Sequence, residues 1–340
     1  MDDTHRKHDP AIIGTGHYVP DNSVRSEDLE QKWDKPDGWI ESRTGIRERR
    51  MAGDDETTGT MAIEAGQNAL RDAGISPDDV GITLLATSTP DKPLPPTAPS
   101  VQDALGVTGG AIDLAGSCVG CLDALVTGSQ FVRSGTHEYV LVIASNHLTY
   151  RVNWSDPNTA SLFGDGAGAM VLGRSPSTEE RPGANSLELL RAKLGSDGSV
   201  DSLDVPAGGS NEPFTPEAWE KDRHLMRMTD GQDVFKLAVQ KQVDTARALV
   251  DEAGMEVGDL DWLLPHQANQ KIMEAVVRQL GIPEDRLLSN IDRYGNTSAA
   301  SIPIMLNEAV QTDTFSPGDR LLMVAFGCGI RFGGALLRCR

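Results

Sequence analysis

The sequence predicts an α/β fold built from two copies of one strand and helix unit, with largely parallel sheets covered by helices. Three internal matches carry this reading. Asp72-Ala73-Gly74-Ile75 runs through Asp79-Val80 into an apolar strand, and Glu252-Ala253-Gly254-Met255 runs through Asp259-Leu260 into Trp262-Leu263-Leu264, 180 residues further on. Tyr139 to Ala144 matches Arg320 to Ala325 at an offset of 181, and a glycine-rich segment follows each. Ile112-Asp113 before Gly116-Ser117-Cys118 matches Ile291-Asp292 before Gly295-Asn296-Thr297 at an offset of 179. The join is expected near 174–183, which gives an N-terminal half over 1–175 and a C-terminal half over 176–340.

Each element has a local reason. Thr60 to Asp72 and Val234 to Glu252 are amphipathic and end at Ala-Gly stops, so both read as helices. Ala111 to Ala115 reads as a short buried strand, broken by Gly116-Ser117. The apolar run from Cys118 to Val132 carries Asp123 as its one charge and reads as a buried helix, with Gly135 as the left-handed stop beyond it. Cys118 therefore falls at a helix N-terminus, where unpaired N–H groups and the macrodipole favour thiolate. A small thiol in an apolar run is equally well a packing residue. Cys121, one turn deeper, reads as packing, although Cys118-Val119-Gly120-Cys121 has the spacing of a redox pair.

Composition narrows the class. The 340 residues carry 31 basic and 50 acidic side chains, a net charge of −19, with 39% hydrophobic residues. That balance argues against a nucleic-acid or anionic-membrane surface. The absence of a span-length apolar run and of a signal-like amino terminus leads us to expect a cytoplasmic protein. Cys118, Cys121, Cys328 and Cys339 make no disulfide framework, and no second Cys-x-x-Cys or His pair completes a zinc set. His266 follows Trp262-Leu263-Leu264-Pro265 and should emerge at a strand end, where a structural role is the commoner one.

The strings IIGTGHYVP, WIESRTGIRERR, SCVGC, FGDGAGAMVL, LLPHQAN and RYGNTSAAS together resemble the β-ketoacyl-acyl carrier protein synthase III family of condensing enzymes. The resemblance covers almost the whole chain. It implies a thiolase-like fold, five-layered α-β-α-β-α, in a homodimer. It further implies that Cys118 takes an acyl group from an acyl thioester, coenzyme A or carrier protein, and that malonyl-acyl carrier protein then condenses on it with loss of carbon dioxide. His266 and Asn296 would complete the catalytic set, with the N–H groups of Cys118 and Cys328 as oxyanion hole and no cofactor. Trp39 and Arg43 match adenine-nucleotide contacts, Gly231, Phe235 and Asn269 a pantetheine channel, and Lys236, Lys271 and Arg278 a carrier-docking surface. Leu94 matches a side chain inserted into the partner's acyl pocket. Pro157 stands where relatives carry a second adenine-facing Arg, a place that Trp154 could fill. The alternative reading is an acyltransferase that uses the same acyl-cysteine to acylate oxygen or nitrogen, with His266 as general base. A third is a non-catalytic scaffold.

Overall fold

The computed structural model describes residues 9–175, 186–198, 203–229 and 231–340, so most of the expected join lies outside the described residues. The first half holds strands β1 (Pro10–Tyr18), β2 (Val80–Ala86), β3 (Gly110–Leu114), β4 (Tyr139–Asn146) and β5 (Gly166–Arg174), with helices α1 (Thr58–Ala73), α2 (Ala98–Leu105) and α3 (Gly120–Arg133). The second half holds β6 (Leu187–Ser196), α4 (Gly231–Glu252), β7 (Trp262–Pro265), α5 (Gln270–Leu280), α6 (Ser301–Gln311), β8 (Arg320–Gly327) and β9 (Arg331–Cys339).

Strand order demonstrates the duplication. The first half runs β1-β5-β4-β2-β3 and the second β6-β9-β8-β7, with Leu287 bridging to Leu263 where a fifth strand would pair. The two sets meet through a short β1–β6 pairing at Ala11↔Glu188 and Ile12↔Leu187. The expectation of largely parallel sheets needs correction. Among the described strands of this sheet, β2–β3, β2–β4 and β7–β8 pair parallel, whereas β4–β5, β5–β1, β1–β6, β8–β9 and β9–β6 pair antiparallel. Apolar runs mark a strand buried on both faces, but they do not encode the direction of its neighbour.

Alternation along the strands builds five layers. In β2, Leu84 faces the central layer and Leu85 the outer one; in β8, Met323 faces inward and Leu322 outward. The central layer is α3 and α6, whose Leu122, Leu125, Ile302 and Met305 fill the space between the sheets. Met61, Ala65 and Ala69 of α1 cover one outer face, and Val243 and Leu249 of α4 with Val276 of α5 cover the other. Both central helices therefore point their N-termini at the same region between the halves. Among the described residues no helix is long and apolar enough to cross a membrane.

Candidate active site

The Cys118 turn is a built elbow. One turn of 3₁₀ helix, Ser117–Val119, leads into α3, and the same device, Ser298–Ala300, leads into α6. Ser117 and Ser298 sit at φ +52° and +54°, a left-handed conformation that non-glycine residues adopt at a cost of about 1 kcal/mol or more. Their spacing of 181 refines the expected equivalence: Asn296 lies just before the second elbow rather than at the register of Cys118. Gly295, at φ 64° and ψ −158°, occupies a region open essentially to glycine and turns the chain so that Asn296 enters the site. The Asn296 backbone is held by the first half, its N–H donating to the Leu162 carbonyl and its carbonyl accepting from Gly164 N–H.

Cys118, His266, Asn296 and Cys328 line one cavity of about 1090 Å³. His266 arrives at the end of β7, where its N–H donates to the Val324 carbonyl of β8. The turn after β8 brings Gly327 against Cys118; a Cβ at Gly327 would lie 3.1 Å from the Cys118 nitrogen and 3.2 Å from its Cβ, so a larger residue would press on the Cys118 turn by a few tenths of an ångström. Arg331 at the start of β9 makes a bidentate ion pair with Asp123 of α3, at 2.8 and 2.7 Å, tying this turn to the nucleophile helix.

Hydrogen bonds fix which atoms of His266 and Asn296 face the cavity. Ser301 Oγ lies 2.7 Å from His266 Nδ1 and accepts from Gln267 N–H at 3.2 Å. Among the described residues Nδ1 is the acceptor within reach of the buried Ser301 hydroxyl hydrogen, and the arrangement that uses that hydrogen leaves the imidazole proton on Nε2. Ser298 N–H donates to Asn296 Oδ1 at 2.8 Å, leaving the Nδ2 hydrogens for the cavity. Both side chains thus present donors. Ser298 Oγ donates to Cys118 Sγ at 3.3 Å, and Cys328 N–H donates to Ser117 Oγ at 3.3 Å, a long bond that an oxyanion can replace. Sequence reasoning missed Ser117, Ser298, Ser301 and the Asp123–Arg331 pair; the 181-residue repeat held the signal for the two elbow serines.

The thiolate expectation is corrected. Burial pushes the Cys118 thiol up to about 12, with Cys328 adding to the rise and the Ser298 and Ser117 hydroxyls opposing it. Position at a helix end is as expected, but desolvation outweighs it in the unliganded site. Cys121 is fully buried in the central core, which fits packing rather than a redox pair, and all four cysteines are free thiols. Burial lowers His266 to about 4. Below about pH 6.5 an unfolded chain takes up a proton that folded His266 refuses until about pH 4. Stability from this group is therefore constant above that window and falls as pH drops through it. A reaction that uses His266 as a neutral donor should show no acid limb near pH 6.5; a pH–rate profile from 5.5 to 8 checks this, and a limb at 6.5 would contradict a neutral donor.

Trp39, Arg43, Gly231, Phe235, Asn269 and Lys271 line the same cavity, whereas Leu94, Lys236 and Arg278 do not. The Arg43 guanidinium lies 4.6 Å and Lys35 Nζ 5.2 Å from the Trp39 ring centroid, so cations already attend that ring. Asn269 caps α5 by accepting from Lys271 N–H and donates one Nδ2 hydrogen to the Arg43 carbonyl. Trp154 cannot stand in for the missing Arg. It stacks on Trp33 and gives its N–H to the Thr149 carbonyl, and Asn158 lines the cavity instead.

Comparison with known proteins agrees with this geometry. The profile described as 3-oxoacyl-[acyl-carrier-protein (ACP)] synthase III matches residues 112–198, and that of its C-terminal domain matches 250–339. A 3-oxopimeloyl-[acyl-carrier-protein] synthase from Rhodothermus marinus is 44% identical over 330 residues, covering 96% of this chain and 93% of its own. The chain belongs to the 3-oxoacyl-[acyl-carrier-protein] synthase III family. A β-ketoacyl-[acyl-carrier-protein] synthase III from Natranaerobius thermophilus is 42% identical, covering 96% of this chain and 98% of its own. The crystal structure of the synthase III from Aquifex aeolicus superposes with a TM-score of 0.87 at 38% identity, covering 97% and 99% of the two chains. As a member of this family, the chain is a condensing enzyme with the thiolase-like fold.

Proposed function

We propose that this synthase transfers an acyl group from a thioester to Cys118 and condenses it with malonyl-acyl carrier protein. The observation that carries the reading is the pair of donors at His266 and Asn296, each locked in its donor orientation by a serine of the second elbow and helix. In the first step Cys118 sulfur attacks the donor carbonyl, its proton finishes on the departing thiol, and the carbonyl oxygen collects charge beside the N–H groups of Cys118 and Cys328. In the second step the malonyl carbon–carboxylate bond breaks, carbon dioxide leaves, and the electron pair forms an enolate whose oxygen takes hydrogen bonds from His266 Nε2 and Asn296 Nδ2. The enolate carbon then attacks the acyl-cysteine, and Cys118 departs and regains a proton.

The donor tautomer argues against the acyltransferase alternative, because a base needs a free lone pair where Nε2 carries its proton. The names of the relatives favour condensation as well. For the donor, Trp39 and Arg43 at the cavity mouth suit a coenzyme A nucleotide, while Pro157 removes the opposing cation, which leaves carrier-bound donors equally suited. Leu94 is 81% exposed and Ile112 of edge strand β3 is 45% exposed, a surface that suits a second copy, with Leu94 reaching the partner's acyl pocket.

Lys271 and Arg278 are both exposed on α5, seven residues apart and on one face, and Lys271 also lines the cavity. Lys236 lies 3.5 Å from Asp233, an exposed pair that leaves it a weaker docking contact. Lys271→Glu and Arg278→Glu should each raise KM for malonyl-acyl carrier protein roughly three- to tenfold, with kcat little changed and a shallower salt dependence. Steady-state kinetics at several salt concentrations checks this; equal KM values would remove these residues from the docking surface.

A further inference from the structure

Among the described residues no lysine, arginine or protonated histidine bonds the Cys118 thiol, and burial holds it protonated at rest. What touches the sulfur is a hydroxyl: Ser298 donates at 3.3 Å from the second elbow. Ser298 is 3% exposed and keeps a left-handed backbone, although glycine would occupy that turn without strain. A strained, buried serine aimed at the nucleophile suggests that the hydroxyl is retained for what it does there.

We propose that Ser298 is a catalytic residue: its hydroxyl is the hydrogen-bond donor that stabilises the Cys118 thiolate when it attacks the donor and again when it leaves. This rests on the reading of Cys118 as nucleophile. The hydroxyl holds the charge in place of a cation, through a charge-assisted bond stronger than a neutral one. It transfers no proton and changes no stoichiometry. Ser117 Oγ instead accepts from Cys328 N–H at 3.3 Å. The other ionisable groups around Cys118 are Cys328 on the facing turn, neutral His266 from β7, buried Cys121 on α3, and the mutually neutralised Asp123–Arg331 pair.

Ser298→Gly separates chemistry from architecture. It retains the backbone N–H that holds Asn296 Oδ1 and relieves the strain at φ +54°, but it removes the hydroxyl. We expect melting at or above the wild-type temperature, with acylation of Cys118 slowed about 10- to 100-fold. The rate of iodoacetamide alkylation of Cys118 at fixed pH 8, located by peptide mass spectrometry, should fall about 10- to 100-fold. Ser298→Ala should reproduce both rate losses without the gain in stability. Acylation within about twofold of wild type, or an unchanged alkylation rate in both variants, would overturn the proposal. Failure of the wild type itself to form an acyl adduct on Cys118 would instead overturn the nucleophile assignment on which it rests.

Discussion

Cys118→Ala is expected to abolish acyl transfer and product formation, with turnover falling by a factor on the order of 10⁴ or more, because no other thiol is placed to carry the acyl group. Cys328 lines the same cavity, but its thiol is also pushed up by burial and its turn is positioned for its backbone N–H. Malonyl decarboxylation should persist in the variant at a measurable rate. His266 and Asn296 keep their partners Ser301 and Ser298, so an enolate still forms and takes a proton instead of attacking an acyl-cysteine. Release of carbon dioxide without β-ketoacyl product is the signature, read by trapping the gas and by mass analysis of the carrier protein. A variant that still condenses would place the nucleophile elsewhere.

His266→Ala and Asn296→Ala are expected to give the converse result. Each removes one donor to the enolate oxygen, so decarboxylation should slow roughly 10²- to 10³-fold, while Cys118 still acquires its acyl group. Each change also leaves a buried partner unmatched, Ser301 Oγ in one case and Ser298 N–H in the other, at a stability cost of about 1–3 kcal/mol. Thermal melts run beside the kinetics separate that cost from the chemistry. Loss of acylation in the same proportion as condensation would mean that His266 or Asn296 serves the first step too.

The sequence made the site's backbone legible because its causes are local. Turn glycines, apolar strand runs and the near-constant offset between halves located the turns at Gly116-Ser117-Cys118 and Gly295-Asn296-Thr297 and the strand end at His266, with the second elbow two residues beyond Asn296. Side-chain hydrogen bonds across the molecule were not legible in this way. Ser298 to Cys118 spans 180 residues and Arg331 to Asp123 spans 208, and nothing in either local run announces its partner. The thiol protonation expectation failed for a related reason: a helix N-terminus is read from spacing, whereas desolvation depends on how both halves close over the sulfur. Strand direction failed because β5 and β9 return beside their neighbours as hairpin-like antiparallel strands, a fact of connection rather than of composition. Charged contacts were the least legible, since a lysine on a helix face looks the same whether it lines the cavity, as Lys271 does, or lies beside Asp233, as Lys236 does.

Cys118 is proposed to carry an acyl group that malonyl-acyl carrier protein then discharges by decarboxylative condensation. Intact-mass and peptide mass spectrometry of the enzyme, first with a panel of acyl-coenzyme A and acyl-carrier donors and then after addition of malonyl-acyl carrier protein, tests it in one sequence of measurements. The expected result is one acyl adduct, located on Cys118, that disappears as one carbon dioxide is released for each β-ketoacyl carrier formed. An adduct on another residue, or one discharged with no carbon dioxide and no β-ketoacyl product, would contradict it.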